Sequence, residues 1–170
     1  ASPFGVHTSG LVPAEMVPQH VVQLDGPRSV VESTAPESDT VVEIPTVDPV
    51  EAPGGETRRA PIGLVVGARS GDKGGNANLG VFARSAEAYV WLESFLSDDM
   101  LRELLPEAAE LEIERYPLPN IWSINFLIHG LLQEGVAAST RQDGQAKSLG
   151  EWLRARHVEV PVSLLERSGR

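Results

Sequence analysis

The chain has 170 residues, 41% apolar content, no cysteine and a net charge of −10 at pH 7. The length suits one domain with a tail, and the apolar content excludes global disorder. The lack of cysteine excludes disulfides and thiolate chemistry, and the acidity argues against a nucleic-acid or anionic-membrane partner.

Residues 1–58 hold nine acids and two arginines, and nine of the thirteen prolines lie within residues 1–61. Near the start, Gln19–Leu24 and Ser29–Glu32 flank Asp25-Gly26-Pro27, which predicts a small hairpin. Alone, such a hairpin is marginal and calls for a partner. Residues 34–58 read as an acidic, Pro-rich linker that cannot bury enough apolar surface to offset its ordering entropy. A short extended piece is expected within it at Val41–Ile44. No basic, apolar leader stands in residues 1–20, and no run of about 18 apolar residues would span a membrane. The expected location is the cytoplasm.

From Arg59 the pattern sharpens, and a compact domain is expected over residues 59–163. Ile62–Val66 reads as a central strand, followed by a glycine-rich loop. Asn78–Ala83 is the next strand. Ser85 sits at an N-cap position before a helix over Ala86–Leu96. Ser97-Asp98-Asp99 starts a shorter helix that Pro106 ends. Leu111–Tyr116 alternates as a strand does. Asn120 is expected to cap a helix whose apolar face is Ile121, Ile124, Leu127, Ile128 and Leu131. Val136–Thr140 reads as a weak strand. Asp143 is expected to cap a helix through Arg156, with Ala146, Leu149, Trp152 and Leu153 inward. Val158–Val160 makes a last strand, and residues 164–170 a disordered tail. This order predicts an α+β sandwich: a mixed or antiparallel sheet with helices on one face.

Several residues carry possible chemistry. Gly71, Gly74 and Gly75 permit left-handed backbone, and successive amides in such a loop can form an anion nest. Arg69 and Lys73 add positive charge, Asp72 can orient one of them, and Ser70 and Asn76 add polar groups. The competing reading is a tight hairpin connection with Arg69 and Asp72 paired. His129 with Asn125 one turn earlier could act as a base and its orienting partner, or as a polar pair at an interface. Asn120 and Arg141 are secondary candidates. His7, His20, His129 and His157 are scattered without metal-ligand spacing. Asp72, Asn76 and Asn78 do not fit an EF-hand. No metal and no cofactor are expected.

Three blocks carry a resemblance. Gly67–Gly80 (GARSGDKGGNANLG) resembles the signature of the AtuA-like C-terminal domain, of the acyclic terpene utilisation family. So do Arg115–Asn120 (RYPLPN) with Asn125–Gly130 (NFLIHG), and Gly135–Arg141 with Gln145–Gly150. The resemblance implies a ferredoxin-like domain attached to a larger N-terminal core domain, of which residues 1–33 would be the tail. It also implies a role in bacterial breakdown of acyclic terpenes such as citronellol and geraniol, which runs through CoA thioesters. An accessory or assembly role is expected, with the core domain and further copies of the chain as partners. The alternative is that Arg69–Asn76 holds the phosphate or carboxylate of an acyl-CoA-type substrate in a shared active site. Gly75 stands where members often carry an acid.

Overall fold

A computed structural model describes residues 10–31 and 50–168. The extended piece expected at Val41–Ile44, and most of the linker, lie outside the described residues. The first described segment is a unit of its own. Its strands β1 (Gln19–Val22) and β2 (Arg28–Val31) pair antiparallel, from Gln19 opposite Val31 to Val22 opposite Arg28. All their residues are exposed. Among the described residues, no helix is long and apolar enough to cross a membrane.

The larger unit opens with β3 (Thr57–Pro61), two residues earlier than the sequence pattern sharpens. The run Ile62–Val66 is not one strand. Ile62–Leu64 makes a 3-10 turn with Val65 N donating to Ile62 O, and β4 (Val66–Lys73) starts after it. Ile62, Val65 and Val66 are buried while Leu64 is exposed, so the apolar run does not mark one strand.

The glycine-rich segment is also not a loop. β4 runs through it and pairs residue by residue with β5 (Asn76–Ala83), from Val66 opposite Ala83 to Lys73 opposite Asn76. Only Gly74 and Gly75 form the turn. Gly74 has φ +64 and Gly75 has no positive φ, the φ pattern of a type II′ turn, which favours glycine at its first central position.

Helix α1 (Ala86–Phe95) begins where its cap predicts, with Ala88 N donating to Ser85 Oγ at 3.2 Å. Helix α2 (Asp98–Leu104) is capped by Ser97, which accepts from Met100 N at 3.1 Å. Strand β6 (Ile113–Leu118) follows.

The helix expected from Asn120 to Leu131 is a strand, β7 (Ser123–Ile128). Asn120 lies in a 3-10 turn, Pro119–Ile121, with no side-chain cap. Trp122 turns the chain with φ 50. The apolar residues fit either period, but burial alternates: Ile124, Phe126 and Ile128 are fully buried and their neighbours half-exposed. Two β-branched residues and a partner on each side favour the strand.

Residues Val136–Thr140 form turns, with Ala138 N and Ser139 N both donating to Gly135 O. Asp143 accepts from Lys147 N and from Ser148 N and Oγ. It therefore closes a loop, and α3 (Leu149–Arg154) starts six residues later. Leu149 and Leu153 face inward, but Trp152 is exposed. β8 (His157–Pro161) pairs antiparallel with β3 as a separate two-stranded sheet. The expected disordered tail is corrected by α4 (Val162–Ser168), which buries Leu164 and Leu165. Burial of two leucines supplies the driving force that charge and length did not reveal.

The main sheet has four strands in the order β4-β5-β7-β6, antiparallel throughout. Ala77, Leu79, Val81, Ile124, Phe126 and Ile128 form its buried side. Helix α3 contacts β4 and β5, α1 contacts β5, and α2 contacts β6. Arg115 ties β6 to α1, donating to Leu96 O at 3.1 Å and Glu93 O at 2.7 Å. The Glu87 carboxyl is held below the ordinary carboxylate range, mainly by its own backbone amide, then by Ser85 and Arg167.

Candidate functional site

The side of the sheet away from the helices is open. Residues in register share a face and neighbours along a strand alternate, so four rows cross this open face. Gly67, Phe82, Ser123 and Leu118 form the first. Arg69, Gly80, Asn125 and Tyr116 form the second, and Gly71, Asn78, Leu127 and Glu114 the third. The fourth holds Lys73 and Asn76 at one side and His129 and Glu112 at the other. His129 N donates to Glu112 O at 2.9 Å, continuing the ladder one step past β7.

Apart from Ser123, the first row is apolar. The Phe82 ring lies where a side chain on Gly67 would stand, covering a bare strand position. Phe82, Tyr116 and Leu118 are all exposed, as are Ile121 and Trp122 in the adjoining β6–β7 turn. The remaining rows are polar and divided by charge. On the β4 side stand Arg69 and Lys73, and Lys147 Nζ comes within 3.3 Å of where a Cβ on Gly71 would be. On the β6 side stand Glu112 and Glu114.

The expected site residues therefore separate. Arg69, Gly71, Lys73, Asn76, Asn125 and His129 share the open face. Ser70 and Asp72 point the other way. Ser70 Oγ accepts from Gly150 N at 2.9 Å and donates to Lys147 O at 3.3 Å, anchoring the start of α3 on β4. Lys73 Nζ donates to Asp72 O at 3.1 Å. Gly74 shapes the turn. Asn76 Oδ1 accepts from Gly130 N at 2.9 Å, fixing the chain as it leaves β7. Asn120 lies in the β6–β7 turn. Arg141 is in the turns before α3, with its Nε buried and unpartnered. Arg69 and Lys73, four strand residues apart, stand about 13 Å from each other. No ion pair joins Arg69 to Asp72 among the described residues, because the pleat places them on opposite faces.

Asn125 and His129 share a face as strand residues rather than across a helical turn. The nearer partner of His129 is Glu114, with Nε2 2.5 Å from Oε1. The Tyr116 hydroxyl bonds the other carboxylate oxygen of Glu114. Glu112 completes a group of three whose ligand atoms lie within 4.8 Å of one another. Sequence spacing predicted no metal-type cluster, and strand pairing creates this one. The signal was present in Glu112-x-Glu114-x-Tyr116, a polar alternation on a recognised strand. The His129 side of the cluster is invisible while residues 120–131 are read as a helix.

An antiparallel four-stranded sheet, helices on one side and an open polar side on the other, defines an α+β sandwich of the ferredoxin-like kind. The family model of the AtuA ferredoxin-like domain matches residues 61–159. The chain belongs to that family. No curated protein and no solved structure matches it.

Proposed function

We propose that this chain is the accessory, assembly domain of a bacterial protein acting in the breakdown of acyclic terpenes or related branched acyl-CoA compounds. Its open sheet face is the surface that docks on the core domain of the same protein, and further copies complete the assembly. One observation carries this reading. The face that no helix covers has an exposed apolar row, with Phe82 and Leu118 at 42% and 37% exposure, beside rows of polar groups. Aromatic anchors next to a polar rim are what a protein interface requires.

The test is the double variant Phe82→Asp/Leu118→Asp in the full-length protein. Both positions are solvent-facing, so the fold should persist. Light scattering after size exclusion should show a smaller assembly, and growth on citronellol should fail. Wild-type assembly and growth in a folded variant overturn the reading.

A second reading has its own support. Arg69, Lys147 and Lys73 line the β4 side around Gly71, and none has an ion-pair partner among the described residues. A phosphate or carboxylate of an acyl-CoA-type substrate suits this strip, with the reacting centre shared with the core domain. Thermal shifts of the chain with inorganic phosphate and with CoA should then vanish in Arg69→Ala/Lys147→Ala. Equal shifts in wild type and variant, or none in either, remove this second reading.

A further inference from the structure

We propose that Glu112, Glu114 and His129 form a binding site for a divalent cation of the Zn2+ or Mn2+ type. The site lies at the polar end of the open face, away from the apolar row, and does not depend on the assembly reading.

Three features of the fold build it. Glu112 immediately precedes β6 and Glu114 lies within it; the bond from His129 N to Glu112 O continues the ladder to residue 112, so alternation sends both side chains to the same face. His129 stands opposite Glu112, held there by the bond from its own amide to the Glu112 carbonyl at 2.9 Å. From that position its ring reaches diagonally to Glu114, a distance that cross-strand neighbours span, and Nε2 meets Oε1 at 2.5 Å. All three ligand atoms lie within 4.8 Å of one another. A tetrahedral ion with bonds of about 2.0–2.2 Å holds its ligand atoms about 3.3–3.6 Å apart. To reach that spacing Nε2 and Oε1, now 2.5 Å apart, would separate by about an ångström.

The electrostatics ask for a cation. Two carboxylates converge with a single imidazole, which pairs with Glu114. Among the described residues, no Lys or Arg is within ion-pair distance of Glu112 or Glu114; the one ion-pair partner is His129. The cations of this face stand at the other edge of the sheet, on β4 and Lys147. A divalent ion offsets both carboxylates at once.

The outer contacts are those of a ligand set. Tyr116 bonds the Glu114 oxygen that does not face His129, so the ion would take the place of the proton shared by Oε1 and His129 Nε2. Metal-bound carboxylates are commonly oriented by such a hydrogen bond. Two oxygens and one imidazole nitrogen without thiolate select Zn2+ or Mn2+ over soft ions. Three protein ligands leave at least one position for water or another oxygen donor. His129 and Glu114 are 32% and 40% exposed at their side chains, so solvent reaches that position.

The experiment is calorimetric titration of the metal-stripped chain with ZnCl2, MnCl2 and MgCl2. One saturable site for Zn2+ or Mn2+ is expected, with weaker or no Mg2+ binding. Co2+ replacing Zn2+ should give d–d absorption in the visible range. His129→Ala should abolish the site, and Glu112→Gln, at an exposed position, should weaken it by more than about tenfold with the thermal melt unchanged. Tyr116→Phe should weaken it by about 10–100-fold, as loss of an orienting partner does. Absence of saturable binding overturns the proposal. So does binding that survives in Glu112→Gln, which would place the ion elsewhere, even if His129→Ala fails to fold.

Discussion

Gly75 has no room for a side chain. A Cβ there would collide with the carbonyl oxygen of Gln133, and Leu132 N donates to Gly75 O at 2.9 Å. The obstacle is backbone, so the whole 130–135 turn would have to move. Gly75→Asp should therefore destabilise this chain by about 1–3 kcal/mol. Urea unfolding measures it, and a neutral result would show that the turn yields freely. Tyr89 is buried. Burial raises its hydroxyl pKa above the ordinary 10.0, with Glu93 adding to the effect. A raised folded value means the unfolded chain loses the proton first. The contribution is full below pH 10 and disappears as pH climbs through the folded value. Melting temperatures from pH 8 to 11 should fall more steeply for wild type than for Tyr89→Phe.

The elements show which sequence signals are physical and which are ambiguous. The caps Ser85 and Ser97 were legible because a hydroxyl before an apolar-periodic run has one common use. The apolar set at 121, 124, 127, 128 and 131 was not, because Ile124 and Ile128 satisfy both a helical and a strand period. What decides is pairing with β5 and β6, which no local window contains. The prediction follows the alternation. Phe126→Ala should cost about 3–5 kcal/mol, as loss of a fully buried ring does, and Ile128→Ala about 2–5 kcal/mol. Asn125→Ala and Leu127→Ala, on the open face, should cost clearly less. A helix would instead group 124, 127 and 128 as the costly positions, so denaturation midpoints of these variants separate the two periods. The same misreading hid the cluster around Glu114. The glycine-rich segment stands out in the sequence, but its glycines serve a strand. Gly71 leaves space for Lys147, Gly67 lies under Phe82, and only Gly74 needs its left-handed backbone.

At the scale of the whole molecule, the two ends of the larger unit are clasped together. β3 opens it and β8 closes it, paired from Thr57 opposite Pro161 to Pro61 opposite His157. Val162 N donates to Glu56 O at 2.9 Å, carrying the clasp into α4. This arrangement is illegible in the sequence, because Thr57 and Arg58 read as linker, nothing marks Arg59-Ala60-Pro61 as a strand, and residues 164–170 read as a tail. Their structure comes from each other, across about a hundred residues. The tail then becomes a structural element through Leu164 and Leu165, at 4% and 7% exposure. Arg167 adds a bond to Glu87 Oε1 at 2.9 Å, joining α4 to the start of α1. These two contributions differ in size. Burying two leucine side chains stabilises by about 3–6 kcal/mol, whereas an exposed ion pair gives about 0–1 kcal/mol. A chain ending after Pro161 should therefore lose several kcal/mol in urea unfolding, and Leu164→Ala about 2–5 kcal/mol. Arg167→Ala should change stability by less than about 1 kcal/mol. If truncation costs no more than Arg167→Ala, α4 is held by its charge alone and the leucines add nothing. A large loss in both Leu164→Ala and the truncation, with Arg167→Ala silent, assigns the closure of the fold to the apolar contact.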